Sequence, residues 1–234
     1  EGGFIKGLES RGPGQDDVRL TDRFFLGEPD MRGFDIRGVG PRIIRKYYAL
    51  DANGQPVLDD HGNPTFVEPD KSNLYQDPLG GDAYYLGKVE LEIPLGSGAR
   101  ELGLRPSIFM DVGSVFHVTQ PDLINLGPTY CTGHCGANGQ PLYLDNKGTA
   151  DTSDDEYVTT AGSDPNNPLP IAGAISTGVR EFFLGDTAKP RLSVGIGVNW
   201  KSPFGPFRID FAKVLMKQEG DDTKAFSFNV GTQF

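Results

Sequence analysis

Two cysteines and a histidine lie close together in the segment Cys131-Thr-Gly-His134-Cys135, and their spacing could support thiol or metal chemistry. A metal site needs more ligands than these three residues supply. A cysteine pair in a polar, glycine-rich loop suits an oxidising compartment, in which disulfides form and persist. The segment therefore favours a local disulfide between Cys131 and Cys135, with free thiols and a metal site as the alternatives.

The rest of the sequence offers no credible pair of nucleophile and base. The three histidines, His61, His117 and His134, are isolated, and the long loop-like stretches lack a cluster of metal ligands. We therefore expect no enzymatic reaction, no cofactor and no metal. The formal net charge of −10 also argues against nucleic acid as a partner, because proteins that bind it usually show a basic face.

The composition leaves three classes of protein open. Hydrophobic residues make up 37% of the chain, and it contains 32 glycines and 18 prolines, which fits a disordered chain, a loop-rich β protein or a membrane barrel with a polar lumen. No apolar run is long enough for a transmembrane helix. The chain starts at Glu1-Gly-Gly-Phe-Ile5 as though within a domain and without a signal peptide, so we expect a fragment or a processed product.

Alternation with a period of two argues against disorder and predicts strands. It is clearest between residues 191 and 200, where one face of the predicted strand carries Leu192, Val194, Ile196, Val198 and Trp200 and the other carries small or polar residues. Four further segments alternate in the same way, at residues 83–93, 104–116, 207–212 and 225–234, with Phe109 and Val115 as exceptions. The sequence thus predicts five strands of similar pattern.

Strand length and unequal connections favour a membrane barrel over a soluble sandwich, whose strands would also alternate. Strands of about ten residues match a tilted crossing of a bilayer, whereas soluble strands usually have about five or six. Short turns at residues 95–99 and 202–206 contrast with long connections at about 9–81 and 119–189. Aromatic residues near strand ends suit an interfacial girdle: Trp200, Phe204, Phe207 and Phe234.

The predicted fold class is all-β, a transmembrane antiparallel β-barrel. Only a closed sheet can span lipid, and five or six strands cannot close around a polar lumen, so the rest of the barrel should lie upstream. Residues 1–234 are then the C-terminal part of one barrel domain, with a long extracellular loop at about 9–81 and the last five strands at 82–234. The inward face of the strands carries Lys88, Glu90, Glu92, Arg105, Asp111, Arg208 and Asp210.

Three motifs resemble one family, the outer-membrane insertase superfamily. Met31-Arg-Gly-Phe34 resembles its Val/Ile-Arg-Gly-Phe/Tyr loop motif, although Met31 replaces the usual β-branched residue. Residues 109–115, Phe-Met-Asp-Val-Gly-Ser-Val, are similar to the family's Asp-x-Gly strand. Residues 195–207 and 226–234 are similar to its last three strands and end in an aromatic residue. Their order and spacing make the resemblance specific, and it covers nearly all the chain outside residues 45–80 and 120–185.

The resemblance implies a sixteen-stranded barrel preceded by periplasmic POTRA domains. Residues near Phe4–Leu8 would end the eleventh strand, residues 9–81 would form the sixth extracellular loop, and the five predicted strands would be the twelfth to sixteenth. The implied function is assembly and insertion of β-barrel proteins into the bacterial outer membrane. The implied partners are outer-membrane lipids, client β-barrel proteins and accessory lipoproteins. The alternatives are a two-partner-secretion export pore of the same superfamily, and a plain porin or surface-loop adhesin in which the Arg-Gly-Phe triplet is a coincidence.

The resemblance also assigns a role to Arg32, which would fold back into the lumen and meet acidic residues on the barrel wall. Glu92 and Asp111 are the candidate partners, because both lie on the polar face of their strands and a carboxylate suits the planar guanidinium. Gly33 would allow a tight bend beside Arg32, and Phe34 would pack against groups in the lumen. Without this lock, Arg32 would be an exposed loop residue.

The last strand should carry the seam at which the family's barrels open sideways. Its lipid-facing ladder comprises Phe226, Phe228, Val230 and Phe234. Gly231 interrupts the inward face of this strand, where it would either permit a kink or simply fit the lumen as a small residue. On the neighbouring strand, Arg208 and Asp210 share the inward face, which favours a salt bridge or simple solvation in the lumen over a role in selectivity.

Overall fold

The computed structural model describes residues 1–8, 11–12, 14–68, 75–94, 96, 103–149, 151–162, 169–202 and 205–230. Apart from one 3-10 helix at Leu20–Asp22, the regular structure in these ranges is β. None of the described helical structure has the length and hydrophobicity needed to cross a membrane. The strands, in chain order, are β1 (Gly2–Phe4), β2 (Arg42–Tyr47), β3 (Tyr75–Pro78), β4 (Ala83–Glu92), β5 (Leu104–Phe116), β6 (Thr129–Gly133), β7 (Tyr143–Asp145), β8 (Glu156–Val158), β9 (Gly173–Thr177), β10 (Val179–Leu184), β11 (Arg191–Ser202), β12 (Gly205–Met216) and β13 (Phe226–Val230).

The long strands form one six-stranded antiparallel sheet in the order β1-β4-β5-β11-β12-β13. Its register sets Lys88 of β4 opposite Asp111 of β5, and Asp111 opposite Ser193 of β11. The prediction of an all-β chain is confirmed, and β4, β5, β11, β12 and β13 are the five predicted strands. Phe204, Gly231 and Phe234 lie outside the described residues, so the girdle, kink and terminal ladder predicted for them stay predictions.

Over much of β5, β11 and β12 the sheet buries its polar face and exposes its apolar face, the reverse of a soluble core, although Glu92 and Arg105 on the polar face stay exposed. On β11, Ser193 is 0% exposed, whereas Ile196 is 59% exposed. The same inversion holds on β5 and β12, where Asp111 and Asp210 are buried and Phe211 is exposed. Alternation produces these two faces because successive side chains of a strand point to opposite sides.

The first of two compact units comprises residues 1–44, 76–122 and 182–234. In this unit the connection between β1 and β2, called the loop from here on, covers part of the polar face of the sheet. Buried side chains of the loop and of the sheet form a small apolar core there: Leu26, Met31, Phe34, Val39, Leu86 and Val115. Because the segment brings its own apolar residues to the sheet, a face that is mainly polar along its strands is nevertheless packed. This packing positions the candidate site.

The second compact unit comprises residues 45–75 and 123–181. It contains the antiparallel pairs β6–β9 and β7–β8, and Cys131 and Cys135 are joined by a disulfide. The ring of His134 stacks on that of Tyr157 at 3.9 Å between centroids. Elsewhere, β10, β2 and β3 pair in that order in a three-stranded sheet. The predicted long connections therefore contain β2, β3 and β6 to β10. The assignment of residues 1–234 to one barrel domain stays a prediction.

Candidate functional site

Arg32 lies at the centre of the candidate site, with its side chain buried against β4 and β5. Its Nε donates to Oδ2 of Asp111 at 2.7 Å, and one terminal nitrogen donates to Oδ1 of the same carboxylate at 2.6 Å. The other terminal nitrogen donates to Oε2 of Glu90 at 2.7 Å. The two bonds to Asp111 form the parallel, charge-assisted pair that the guanidinium geometry favours. The arginine is therefore held by two carboxylates on two neighbouring strands.

The backbone around Arg32 is fixed as firmly as its side chain. The Arg32 N–H donates to Oδ2 of Asp111 at 3.0 Å, and the Ser193 hydroxyl donates to the Arg32 carbonyl oxygen. Gly33 follows with φ of +89°, and a Cβ at this position would lie 3.1 Å from Cβ of Ser193 and 3.2 Å from Cβ of Ala212. A glycine is therefore required both by the conformation and by the close approach to the sheet. Met31 and Phe34, which flank the pair, are 0% exposed and anchor the segment in the apolar core.

The second carboxylate partner of Arg32 is Glu90, and the prediction of Glu92 was wrong. Glu92 lies one pleat further along β4, where its carboxylate is 3.7 Å from Arg105 and its side chain is 60% exposed. Lys88, Glu90 and Glu92 all share the inward face, so alternation could not distinguish them. Which carboxylate Arg32 meets depends on how far along β4 the loop docks, and the packing of the loop sets that position.

Glu90 also binds Arg208 of β12 and so joins two arginines. Its Oε1 accepts hydrogen bonds from Arg208 at 3.0 Å and from the Ser107 hydroxyl at 2.6 Å, while Oε2 accepts the bond from Arg32. Arg208 in turn donates to Asp210 at 2.8 Å, which is the lumen salt bridge expected from the sequence. The network therefore runs from the loop through β4 to β12, the neighbour of the terminal strand.

Phe109 and Val115 interrupted the predicted alternation, and the structure shows why. Both lie on the inward face of β5 and are almost completely buried. The guanidinium carbon of Arg32 lies 3.6 Å from the centroid of the Phe109 ring, which is cation–π geometry, and Val115 belongs to the apolar core. These two exceptions mark the place at which the loop docks, and they were the available sequence signal for it.

A second buried ion pair, which sequence reasoning missed, holds the connection between β12 and β13. Arg191 and Asp221 are both 0% exposed at their side chains, and Nε of Arg191 donates to Asp221 at 3.0 Å. Arg191 also donates to the Ser114 hydroxyl at 2.7 Å, and Asp221 accepts the Gly40 N–H at 3.3 Å. The contact draws together the start of β11, the end of β5 and the loop.

Asp16 fastens the beginning of the loop. Its carboxylate accepts the N–H of Val18 at 2.8 Å and the N–H of Thr119 at 2.6 Å, and Arg23 lies 3.6 Å away. Burial alone would raise the pKa of Asp16, but these backbone donors and the charge of Arg23 outweigh it, so that its pKa lies below the usual aspartate value. The residue is a structural anchor for the connection that carries Arg32.

The terminal strand β13 presents its apolar ladder outward. Phe226, Phe228 and Val230 are about half exposed or more, whereas Ser227 between them is buried on the inward face. The Phe207 and Phe228 rings stack with centroids 5.8 Å apart, so the ladder continues onto β12. In the described ranges β13 pairs with β12 alone, which leaves its other edge for a further strand.

The arrangement suits a mechanical role. Within the described residues, no group of three or more His, Cys, Asp or Glu side chains could hold a metal ion. The charged groups near Arg32 pair with one another. Separating a buried ion pair is unfavourable, because it leaves a charge without its partner. What the site can do chemically is hold a long loop against one wall, close to an apolar strand edge.

Comparisons with known proteins point to one family. Residues 2–234 match the family model of the Omp85 superfamily domain. The outer membrane protein assembly factor BamA of Neorickettsia risticii is 26% identical over 217 residues, 93% of this chain and 17% of that protein. The factor of the same name from Neisseria meningitidis serogroup B is 28% identical over 219 residues, 93% of this chain and 19% of that protein. A crystal structure of BamA from Haemophilus ducreyi lacking POTRA domains 1–3 is similar at 22% identity, with a TM-score of 0.45, over 93% of this chain and 28% of that one.

Proposed function

The chain belongs to the Omp85 superfamily, and from that premise we propose that it is the C-terminal part of a barrel that folds and inserts β-barrel proteins into the bacterial outer membrane. The outer membrane is the location of this superfamily and of the chain. The chain spans less than a fifth of the length of the two assembly factors, so the activity of the whole protein is the proposal.

The observation that carries the proposal is the docking of Arg32 on Asp111 and Glu90, inside a sheet whose outer face is apolar. A loop that is bound in this way covers the inward face of the strands. Such a loop fits a barrel that works through its wall and stabilises that wall while one seam opens. It fits less well a porin, whose function needs an open polar channel.

The proposed mechanism is pairing of strands at the seam, together with local thinning of the membrane. The outer edge of β13 would offer its backbone N–H and C=O groups to a strand of the client, by the same pairing that extends any exposed sheet edge. Phe226, Phe228 and Val230 would face lipid meanwhile. The proposed partners are therefore client β-barrel proteins, outer-membrane lipids and the accessory lipoproteins of an assembly complex, and no covalent reaction is involved.

Replacement of Arg32 in the full-length protein tests the proposal. Arg32→Ala leaves the buried Asp111 carboxylate without its cation, which costs about 3–5 kcal/mol in comparable buried pairs. On cold gels, we expect the variant to lose its heat-modifiable mobility after heating to a lower temperature than the parent protein needs. In proteoliposomes, we expect it to fold a client barrel more slowly. Arg105→Ala is the control, because Arg105 lies on β5, the strand of Asp111, but its side chain is half exposed.

Unchanged mobility and unchanged client folding in Arg32→Ala would argue against the loop lock. Proteoliposomes that carry a partner protein across the membrane but fold no client would point instead to an export pore of the same superfamily.

A further inference from the structure

Glu28 makes contacts that the Arg32 lock does not include. It lies in the same loop, and its side chain is only 7% exposed. One carboxylate oxygen accepts a hydrogen bond from Nζ of Lys224 at 2.9 Å, and the other accepts one from Nδ2 of Asn229 at 3.1 Å. Both oxygens of a nearly buried carboxylate are therefore used on one short stretch of chain.

That stretch is the terminal strand and the residues that lead into it. Lys224 precedes β13, and Asn229 lies within it, on the inward face and opposite Arg208 of β12. The hydrogen bond to Glu28 raises the pKa of Lys224, with partial burial opposing it, so the lysine is charged at neutral pH. Glu28 thus binds this stretch at both ends, once through an ion pair and once through an amide.

The backbone of the loop supports the same contact. The Lys224 N–H donates to the Gly33 carbonyl at 3.0 Å, and the Asp35 N–H donates to the Asp222 carbonyl at 3.1 Å. The Glu28 N–H donates to the Phe34 carbonyl at 3.2 Å, which closes the turn that carries Arg32. Docking of Arg32 on β4 and β5 therefore presents Glu28 to β13 in a fixed position.

We propose that Glu28 is a positioning residue that fastens the terminal strand β13 to the docked loop, so that β13 can separate at the seam only after this contact is released. The fastening itself is a property of the folded chain. Its part in opening rests on the proposed function, because the seam matters only if client strands enter there.

Amide hydrogen exchange of the full-length protein in lipid nanodiscs tests the fastening directly. In Glu28→Ala we expect the amides of residues 226–230 to exchange about tenfold faster, the effect of losing a hydrogen bond to a charged group, with β4 unchanged. Asp30→Ala is the matched control. Asp30 lies two residues away in the same loop, but it contacts Lys88 of β4 at 3.5 Å. Equal exchange of β13 in Glu28→Ala and Asp30→Ala would overturn the proposal.

A charge swap separates the specific contact from general loosening of the loop. Glu28→Lys alone should speed exchange of β13, and Glu28→Lys combined with Lys224→Glu should restore it, since the amide of Asn229 can accept as well as donate. Exchange that stays fast in the double variant would contradict the pairing. If Glu28→Ala does not assemble, Glu28→Gln carries the same comparison, because it removes the charge and keeps an oxygen for Asn229.

Client folding, measured on the same preparations, distinguishes this inference from the function on which it rests. If the parent protein folds no client, the proposed insertase function is wrong, and faster exchange of β13 in Glu28→Ala would still support the fastening. Normal client folding with unchanged exchange of β13 would overturn the fastening alone.

Discussion

Glu90 is a single carboxylate shared by two arginines, and this sharing makes it more important than its sequence position suggests. It accepts from Arg32 of the loop and from Arg208 of β12, each at 3.0 Å or less. Loss of the Glu90 charge would leave two partly buried guanidinium groups with one carboxylate partner each, Asp111 and Asp210. An unmet buried charge costs more than the net contribution of the pair, so the effect should exceed that of a surface ion pair.

Glu90→Gln should therefore destabilise the full-length protein, and Glu92→Gln should not. We expect a loss of about 1–3 kcal/mol in the free energy of unfolding for Glu90→Gln, the usual cost of an unsatisfied charged partner. Glu92→Gln should stay within about 0.5 kcal/mol, as for other surface positions. Urea unfolding in lipid vesicles measures both. The two glutamates lie on one face of one strand, at 30% and 60% side-chain exposure, so equal effects would contradict the shared network.

How far the sequence predicted these residues depends on what alternation encodes. A period of two gives the face of each strand, and it correctly put Asp111 on the inward face of β5, where the residue is buried. It contains no information on how far along the strand a distant loop docks. The choice of Glu90 over Glu92 therefore required the packing of Met31 and Phe34, which is tertiary. Phe109 was visible as an exception to the pattern, but a single exception does not reveal its partner.

At the level of elements, the long strands were predictable and the short ones were not. β4, β5, β11 and β12 have ten or more residues each, so their alternation is distinct from chance. β7 and β8 have three residues each and sit among Gly, Asp and Asn turns, where no periodic signal can develop. The long loops therefore contain more regular structure than their composition indicated.

The ion pair between Glu181 of β10 and Arg45 of β2 predicts a dependence on pH. Burial alone would raise the pKa of Glu181 in β10, but the hydrogen bond from Arg45 of β2, the N–H of Ile124 and the charge of Arg45 outweigh it. The pKa of Glu181 therefore lies below the usual glutamate value. A lowered pKa in the folded state adds stability above a pH of about 4.5, and that stability is lost as the pH falls through the folded pKa.

We expect Glu181→Gln to reduce the hydrogen-exchange protection of residues 123–126 at neutral pH, and the difference from the parent protein to shrink below a pH of about 4. Glu68→Gln is the control. Glu68 also pairs with a cation, Lys46, but its side chain is 83% exposed. Solvent therefore screens this ion pair, which contributes little to stability. A difference between parent and Glu181→Gln that stayed constant down to pH 3 would show that the charge of Glu181 is not what holds this contact.

At the scale of the whole molecule, the inverted sheet is the feature that composition could only suggest. A content of 37% hydrophobic residues fits several classes of protein, and alternation fits both a sandwich and a barrel. The structure shows that the loop buries polar residues of the inward face, among them Asp111 and Ser193, and that every long strand exposes apolar residues on its outward face. In an outer-membrane protein this exposed apolar face is the surface that meets lipid.

A lysine placed on that face tests the assignment against an equally exposed position elsewhere. Ile196 lies in the middle of β11 and is 59% exposed, and Ile175 lies in β9 of the second unit and is 53% exposed. A lysine near the bilayer midplane costs about 2–4 kcal/mol, whereas one in water costs almost nothing. Ile196→Lys should therefore lower the yield of heat-modifiable barrel in liposomes several-fold, and Ile175→Lys should leave it unchanged. The two variants share the wild-type residue and the new residue, at strand positions of similar exposure, but β11 belongs to the six-stranded sheet and β9 to a two-stranded one. If both variants assembled as well as the parent, the apolar face of β11 would not be in lipid, and the role of β13 as a membrane seam would lose its physical basis.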